Sequence, residues 1–413
     1  MTRRKFVITT ALGFPALLKA STVSDDFTAP FDEAMNHFMR ERKVPGGALA
    51  VVKDKRLVLA KGYGLADREK QIAARADSLF RIASLSKPIT AVAVMKLIED
   101  GKLSLDAKML DLIDIEPLLE NDAAFDVRHR AITVRHLLQH TGGWDRDKSF
   151  DPMFRPVKIA KATGTAAPAE PRAVIRYMLG RQLDFDPGTR YAYSNFGYCI
   201  LGRIIEKLAG GSYDRYVRES VLTPCGIRHM QLGHTLDGQQ APGEVRYYTA
   251  DDGKGRSVFP EKAGEVPWPY GGFCLEAMDA HGGWLASAVD LSRFAAALHD
   301  PANCPVLKES SIREMFASPP PPMPQGNDSH YGCGWSVRKA GPNGGLNTWH
   351  TGNLAGTSTL LVRRWDGLSW AVLFNQRSED KKLPDGAIDS AMHRAAAKVK
   401  SWPEHDLFAQ FAA

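Results

Sequence analysis

Phe80-Arg81-Ile82-Ala83-Ser84-Leu85-Ser86-Lys87-Pro88-Ile89-Thr90 runs straight into Ala91-Val92-Ala93-Val94-Met95, then Leu97 and Ile98, with charge only at Lys96 and Glu99. A helix that is apolar on nearly every side belongs inside a core rather than on a surface. Pro88 suits a first helical turn, where its missing N–H costs nothing. Gly101 supplies a C-terminal stop. Ser84 is therefore expected at the mouth of a buried helix, where the helix dipole and free N–H groups favour negative charge. Lys87 lies three residues on, on the same face and within reach of the Ser84 hydroxyl. A serine beside a lysine held in a poorly solvated place is one form of activated nucleophile. The simpler alternative is that Ser84 only caps the helix.

Outward from that stretch, 413 residues can bury a large core in one or two domains. The net charge of +6 is misleading, because Arg3, Arg4, Lys5 and Lys19 fall within a first stretch of twenty residues that has no Asp or Glu. Without that stretch, 49 basic residues face 47 acidic ones, which gives no case for nucleic acid or an acidic membrane as partner. Residues 1–20 read as an export signal: a charged start, a short apolar run from Val7 to Leu18, and Ala20 before cleavage. The twin arginines before Phe6 point to the twin-arginine route and a periplasmic or secreted location. The alternative is a cytoplasmic protein with a basic tail. The apolar run is too short, and too interrupted by Gly13 and Pro15, for an integral membrane anchor. Cys199, Cys225, Cys274, Cys304 and Cys333 are widely spaced, with no C-x-x-C pair. They read as small buried apolar residues rather than as a disulfide framework, although an oxidising compartment permits one bridge.

Phe31, Ala34, Met35, Phe38 and Met39 follow helical spacing. Ala48–Val52 and Leu57–Ala60 flank a polar turn and read as a hairpin. From about Asp106 to Trp284 strand signals are scarce, and helical pieces (134–140, 172–179, 196–209 and 213–221) alternate with Pro- and Gly-rich loops. The polar stretch Thr235–Pro269 reads as a long surface loop. A helix is expected over Ala288–Leu298, and Pro319–Pro322 reads as a stiff connector. Tyr331–Val337, Asn347–Thr351, Ser358–Val362 and Leu368–Phe374 read as strands, the last two joined by an Asp-Gly turn at Asp366-Gly367. A final helix spans Ala387–Val399. Strands at both ends with helices between imply an α+β fold, an αβα sandwich whose antiparallel sheet draws on both ends of the chain. The expected division is a sheet-containing domain from residues 21–105 and 286–413, and a mostly helical inserted domain over 106–285.

Two further stretches carry chemistry. Tyr193-Ser194-Asn195 sits on a loop entering a helix, and Trp349-His350-Thr351-Gly352 is a strand end whose small Gly352 lets something approach the backbone closely. In that order and spacing, Ser84-x-x-Lys87, Tyr193-x-Asn195 and His350-Thr351-Gly352 resemble the serine β-lactamase and penicillin-binding-protein superfamily. The nearest branch is the class C β-lactamase and D,D-carboxypeptidase-like group, which also holds esterases and D-aminopeptidases. The likeness extends over roughly residues 30–395, through Leu137–Gly143, Gly188–Gly210, Gly282–Ser287 and Gly356–Asn375.

The resemblance implies that Ser84 attacks a carbonyl carbon and carries an acyl group. Lys87 and Tyr193 handle its proton, with Tyr193 the favoured base. Asn195 orients Lys87 and touches the substrate amide, and the N–H groups of Ser84 and Asn353 form an oxyanion hole. His350 and Thr351, beside Gly352, contact the substrate's carboxylate or the tyrosine. The implied substrate is a small molecule or a peptide, cell-wall-derived peptides included, with no cofactor and no metal. The oligomeric state is not implied. Four positions depart from the pattern, two of them Cys225 and Cys333, which stand where the branch usually has Leu. β-Lactamases of this branch usually carry Lys where this chain has His350, and an imidazole titrating near pH ~6.5 holds a carboxylate less firmly. Gly142 stands where the branch often has Ser.

Other readings compete. His136 and His140 have helical metal-ligand spacing, but there is no H-E-x-x-H and no third ligand. No G-x-S-x-G marks an α/β-hydrolase. A class C-type β-lactamase is the alternative activity. A non-catalytic penicillin- or peptidoglycan-binding protein on the same fold is the alternative of another class.

Overall fold

The computed structural model describes residues 27–120, 123–323, 328–380 and 382–411. The export signal expected over residues 1–20 lies outside them. A helix over Ala29–Arg42 opens the described chain and ends at Lys43 in a left-handed conformation. Strands β1 (Gly46–Lys53) and β2 (Arg56–Asp67) then form the expected hairpin. Its turn residues Asp54 and Lys55 both have positive φ, 50° and 66°, the sense of twist that two-residue hairpin loops require. Strand β3 (Ile72–Ala73) extends this edge, and β4 (Phe80–Arg81) leads into the Ser84 turn. Among the described residues the middle of the chain has only short strands, β5 (Gln231–Leu232), β6 (Lys254–Arg256), β7 (Glu265–Pro267) and β8 (Trp284–Ala286). Five strands follow: β9 (Ser329–Tyr331), β10 (Ser336–Lys339), β11 (Leu346–Leu354), β12 (Thr357–Arg363) and β13 (Leu368–Phe374).

The main sheet has eight strands in the order β3-β2-β1-β13-β12-β11-β10-β9. The two ends of the chain meet at the antiparallel β1–β13 pair, in register from Gly47↔Phe374 to Lys53↔Leu368. Both strands are apolar along almost their whole length and buried there, which demands a central position with both faces covered. Alternation along each strand splits the side chains between two layers. Leu49, Val51, Trp370 and Val372 face Phe31, Met35 and Phe38 of the first helix and Ile388 and Met392 of the last helix, Ala387–Lys398. Ala48, Ala50, Val52, Ala371 and Leu373 face the other way, into a larger cluster shared with the helices of the middle of the chain. The architecture is α+β, a large antiparallel sheet flanked by helices.

The helix Ser86–Glu99 lies inside that larger cluster, with every residue from Ser86 to Met95 buried. The helices Asn195–Ala209 and Tyr213–Val217 pack on it. The expected strand Tyr331–Val337 is two strands, β9 and β10, broken by the turn between them. Gly334 in that turn has φ +81°, and a Cβ there would lie 2.5 Å from Ala91 Cβ and 3.1 Å from the Lys87 carbonyl. The strand breaks because its turn must sit on the buried helix. The stretch 156–163, read as loop, is a helix, Pro156–Thr163.

The stretch Thr235–Pro269 is not a simple surface loop. It contains the β6–β7 hairpin and buries Val245, Tyr247, Tyr248 and Phe259. The cause is Arg81, fully buried, whose guanidinium donates to the carbonyl oxygens of Pro269 (2.6 Å), His234 (2.7 Å) and Thr235 (3.2 Å). It also lies over the Tyr247 ring, 4.4 Å from its centroid, and 3.7 Å from the Glu244 carboxylate. A cation without water must find such partners, so one buried arginine orders a long polar segment.

Candidate active site

Ser84 lies in a short 3-10 turn, Ala83–Leu85, just before the buried helix. Ala83 adopts φ +49°, a strained conformation for a residue with a side chain. Three hydroxyls clamp the turn: Ser86 Oγ donates to the Ala83 carbonyl (2.8 Å), Thr359 Oγ1 to that of Ile82 (2.9 Å) and Thr357 Oγ1 to that of Arg81 (2.9 Å). From Phe80 to Met95, Ser84 is the one residue not buried. It does not cap the helix either, because the N-cap is Leu85, with no side-chain bond.

The Ser84 hydroxyl instead meets two side chains. Lys87 Nζ is 3.0 Å from Ser84 Oγ, and Tyr193 donates its phenol proton to the same oxygen over 2.8 Å. Lys87 Nζ also donates to Asn195 Oδ1 (2.7 Å) and to the His281 carbonyl (3.0 Å). Both are acceptors only, so two of the amine's positions are spoken for and the third faces the serine hydroxyl. Tyr193 and Asn195 arrive together because Ser194 between them caps the helix Asn195–Ala209, its Oγ accepting from Gly197 N over 3.3 Å.

Two residues to which the sequence reading gave no part in this site support the cluster. Asp151 Oδ2 accepts from Asn195 Nδ2 over 2.6 Å. A carboxylate can only accept, so this bond turns the Asn195 amide to present its oxygen to Lys87. In the sequence Asp151 shows only the signature of a cap before Pro152, and its partner is 44 residues away. His140 is the second, buried with its Nδ1 accepting from Ser194 N over 3.2 Å. Its ring centroid lies 4.4 Å from that of Tyr193 and 4.5 Å from that of Tyr331. His136 caps its own helix, Val134–Leu138, through the Thr133 backbone. All five cysteines are unpaired, three of them buried.

Strand β11 brings the third motif. β10 pairs with β11 only as far as Ser336↔Trp349, and beyond that point β11 runs beside the Ser84 turn. Thr351 and Asn353 have exposed side chains, and Gly352 between them is buried. A Cβ on Gly352 would sit 2.3 Å from Thr359 Oγ1, 2.4 Å from the Ile82 carbonyl and 3.1 Å from Ser84 N. The strand thus approaches the Ser84 N–H closely enough to leave no room for a side chain at this position. Gly352→Ala is expected to push β11 off the turn, widening any anion site formed by the Ser84 and Asn353 N–H groups. Loss of one oxyanion donor costs about 10²–10³ in rate. Steady-state kinetics on the purified variant, with a melting curve to confirm folding, checks this.

His350 differs from its sequence-based expectation. Its ring is buried, with Nδ1 2.6 Å from the Thr351 carbonyl, which fixes the proton there, so Nε2 accepts from Tyr331 OH over 2.9 Å. Both nitrogens are occupied within the protein. Burial, with Lys87 nearby, pulls the imidazole down to about 3. It is therefore neutral from weakly acidic pH upward, and a charge titrating near 6.5 is not available to hold a carboxylate. Its ring lies 6.4 Å from that of Tyr193.

Burial also divides the two residues on Ser84. Lys87 falls well below the ordinary lysine range, because its ammonium is stripped of water; the Asp151 carboxylate opposes this and the Arg146 cation adds to it. The Tyr193 phenol is raised by burial, a shift that its bond to Ser84 and the Arg146 cation only partly offset. The lysine is the group pushed toward its neutral base form, and the tyrosine toward keeping its proton. A cavity of about 960 Å³ between residues 165–173 and residues 274–277 is lined by none of these side chains.

A buried helix presenting Ser–x–x–Lys beneath a sheet edge, with a tyrosine on the same hydroxyl, is the arrangement of serine hydrolases of the β-lactamase and penicillin-binding-protein fold. The chain belongs to the Beta-lactamase family, whose match covers residues 31–392. It is 26% identical over 346 residues to Penicillin-binding protein 4* of Bacillus subtilis (strain 168), covering 83% of this chain and 70% of that one. Other curated relatives are spanned for between 38% and 50% of their length. Among solved structures, D-amino acid amidase from Ochrobactrum anthropi SV3 superposes with a TM-score of 0.68 at 21% identity, over 90% of this chain and 98% of that one. EstCE1, a hydrolase with promiscuous acyltransferase activity, gives 0.68 at 20% identity, with the same coverages. At these identities the structural likeness is one of fold.

Proposed function

We propose that the protein hydrolyses esters or D-amino-acid peptides and amides through an acyl-enzyme on Ser84. The observation that carries this reading is the Ser84 hydroxyl itself, solvent-reachable in an otherwise buried segment and bonded at once to Lys87 and Tyr193. Lys87, rather than Tyr193, takes the Ser84 proton as Oγ bonds to the carbonyl carbon. The oxyanion sits between the N–H groups of Ser84 and Asn353. Tyr193 gives its proton to the departing oxygen or nitrogen as the bond to carbon breaks, and the proton on Lys87 restores the phenol. Water then attacks the ester by the same route, releasing the acid and returning a proton to Ser84.

Asn195, held by Asp151, keeps Lys87 aimed at Ser84 and lies where a substrate amide would pass. The neutral His350 speaks against avid β-lactam hydrolysis, the alternative activity, because the strand lacks a fixed positive charge. The reading includes export by the twin-arginine route, from Arg3 and Arg4. A hydrolysis screen with p-nitrophenyl esters, D-alanyl amides and peptides, and nitrocefin tests the substrate class. Turnover of esters or D-amino-acid amides is expected, with nitrocefin cleaved feebly. Efficient nitrocefin turnover saturating at micromolar substrate would make it a β-lactamase despite its histidine.

A further inference from the structure

We infer that Arg146 is the anion-binding residue of the cleft, taking a carboxylate carried by the leaving group of the substrate. The inference rests on the hydrolase reading above. Arg146 lies on the loop that follows the helix Val134–Leu138, and its guanidinium carbon stands 4.7 Å from the centroid of the Tyr193 ring. Tyr193 touches Ser84 Oγ and in that reading protonates the departing atom, so this cation lies within the span of a small substrate whose leaving group points toward it.

The loop around Arg146 is held by hydrogen bonds that do not involve its guanidinium. Asp145 Oδ1 accepts from Asp147 N (3.0 Å), and Asp145 Oδ2 accepts from Arg190 (2.7 Å). Asp145 N and Ser149 Oγ both donate to Asp184 Oδ2 (2.9 and 3.0 Å). The neighbouring carboxylates are thus satisfied by other groups, Asp145 by Arg190 and Asp151 by Asn195. Among the described residues the one carboxylate within 4.0 Å of Arg146 is Asp147, 4.0 Å from its Nε and 92% exposed, a pair that water largely screens; Asp151 acts on Arg146 through space, with no hydrogen bond between them. Its own side chain is 43% exposed. Five N–H donors in a fork suited to carboxylate oxygens therefore face the cleft beside the reacting residues with no hydrogen-bonded partner among the described residues. Tyr191, 45% exposed and 5.8 Å from the Tyr331 ring, adds an aromatic wall at the same rim. Since His350 is neutral, this loop and not β11 supplies the positive charge.

The test compares 3-acetoxybenzoate with 3-acetoxybenzamide, which carry the same acyl group and leaving groups of like shape but different charge. KM is expected to be about five- to tenfold lower for the carboxylate, the size of one partly exposed charge-assisted contact. Arg146→Met keeps the apolar stem over Tyr193 and should erase the difference, while Arg146→Lys should restore part of it. NMR titration of both esters into the inert Ser84→Ala protein should show the same ratio in Kd, removed by adding Arg146→Met. A ratio near one in either protein, or a ratio that survives Arg146→Met, overturns the inference. Binding that discriminates without any turnover would retain Arg146 and discard the hydrolase. Turnover of both esters without discrimination would do the reverse.

Discussion

Ser84→Ala is expected to leave the fold intact and to lower kcat/KM by at least about 10⁴, since removing a nucleophile removes the reaction path itself. The hydroxyl accepts from Tyr193 and faces Lys87 but carries no backbone bond of the turn, which Ser86, Thr357 and Thr359 hold. Melting should therefore change little. Intact-mass spectrometry after treatment with a fluorophosphonate or a fluorescent penicillin should show one adduct on the parent protein and none on the variant. An adduct that persists would name another nucleophile. Ser86 is excluded in advance by its burial and its bond to the Ala83 carbonyl. A parent protein that takes no label from either reagent would favour the non-catalytic binding reading.

Lys87→Met should cost about 10³-fold in kcat/KM, within the range for loss of a positioned general base. The sign of the pH dependence follows from the direction of the shift. Below its own pKa Lys87 is an ammonium with no lone pair, so activity rises with pH through that pKa, which burial has brought below the ordinary lysine range. The variant should lose this limb. Stability should not follow activity, because the parent protein must strip a proton from a lysine that the unfolded chain keeps, and methionine has none to strip. The variant leaves the Asn195 amide oxygen and the His281 carbonyl without their donor, which works the other way. Near-parent kcat/KM with an unchanged pH profile would transfer the role of base to Tyr193, the assignment that the sequence resemblance favours.

Most of the fold is legible in the chain because its signals are local. The apolar runs of β1 and β13 demand a covered central position wherever they are placed. The all-round apolar helix after Ser84 must lie inside. What misleads is any segment whose conformation is dictated from a distance. Residues 331–337 carry one strand's pattern yet break at Gly334 to clear Ala91. Residues 235–269 are polar enough for a surface loop, yet close over the buried Arg81.

The site divides along the same line. Sequence alone determined that Ser84 and Lys87 share a helix face, that Tyr193 and Asn195 flank a helix start, and that β11 carries a glycine where a close approach is needed. These follow from residue spacing within single elements. Only the tertiary structure decided what each group can do there. It placed Asp151 on the Asn195 amide across 44 residues, closed both nitrogens of His350 with Tyr331 and a backbone carbonyl, and left Arg146 over Tyr193 with no hydrogen-bonded carboxylate among the described residues. Charge state depends on burial and on partners brought together by folding, and neither is a property of spacing along the chain.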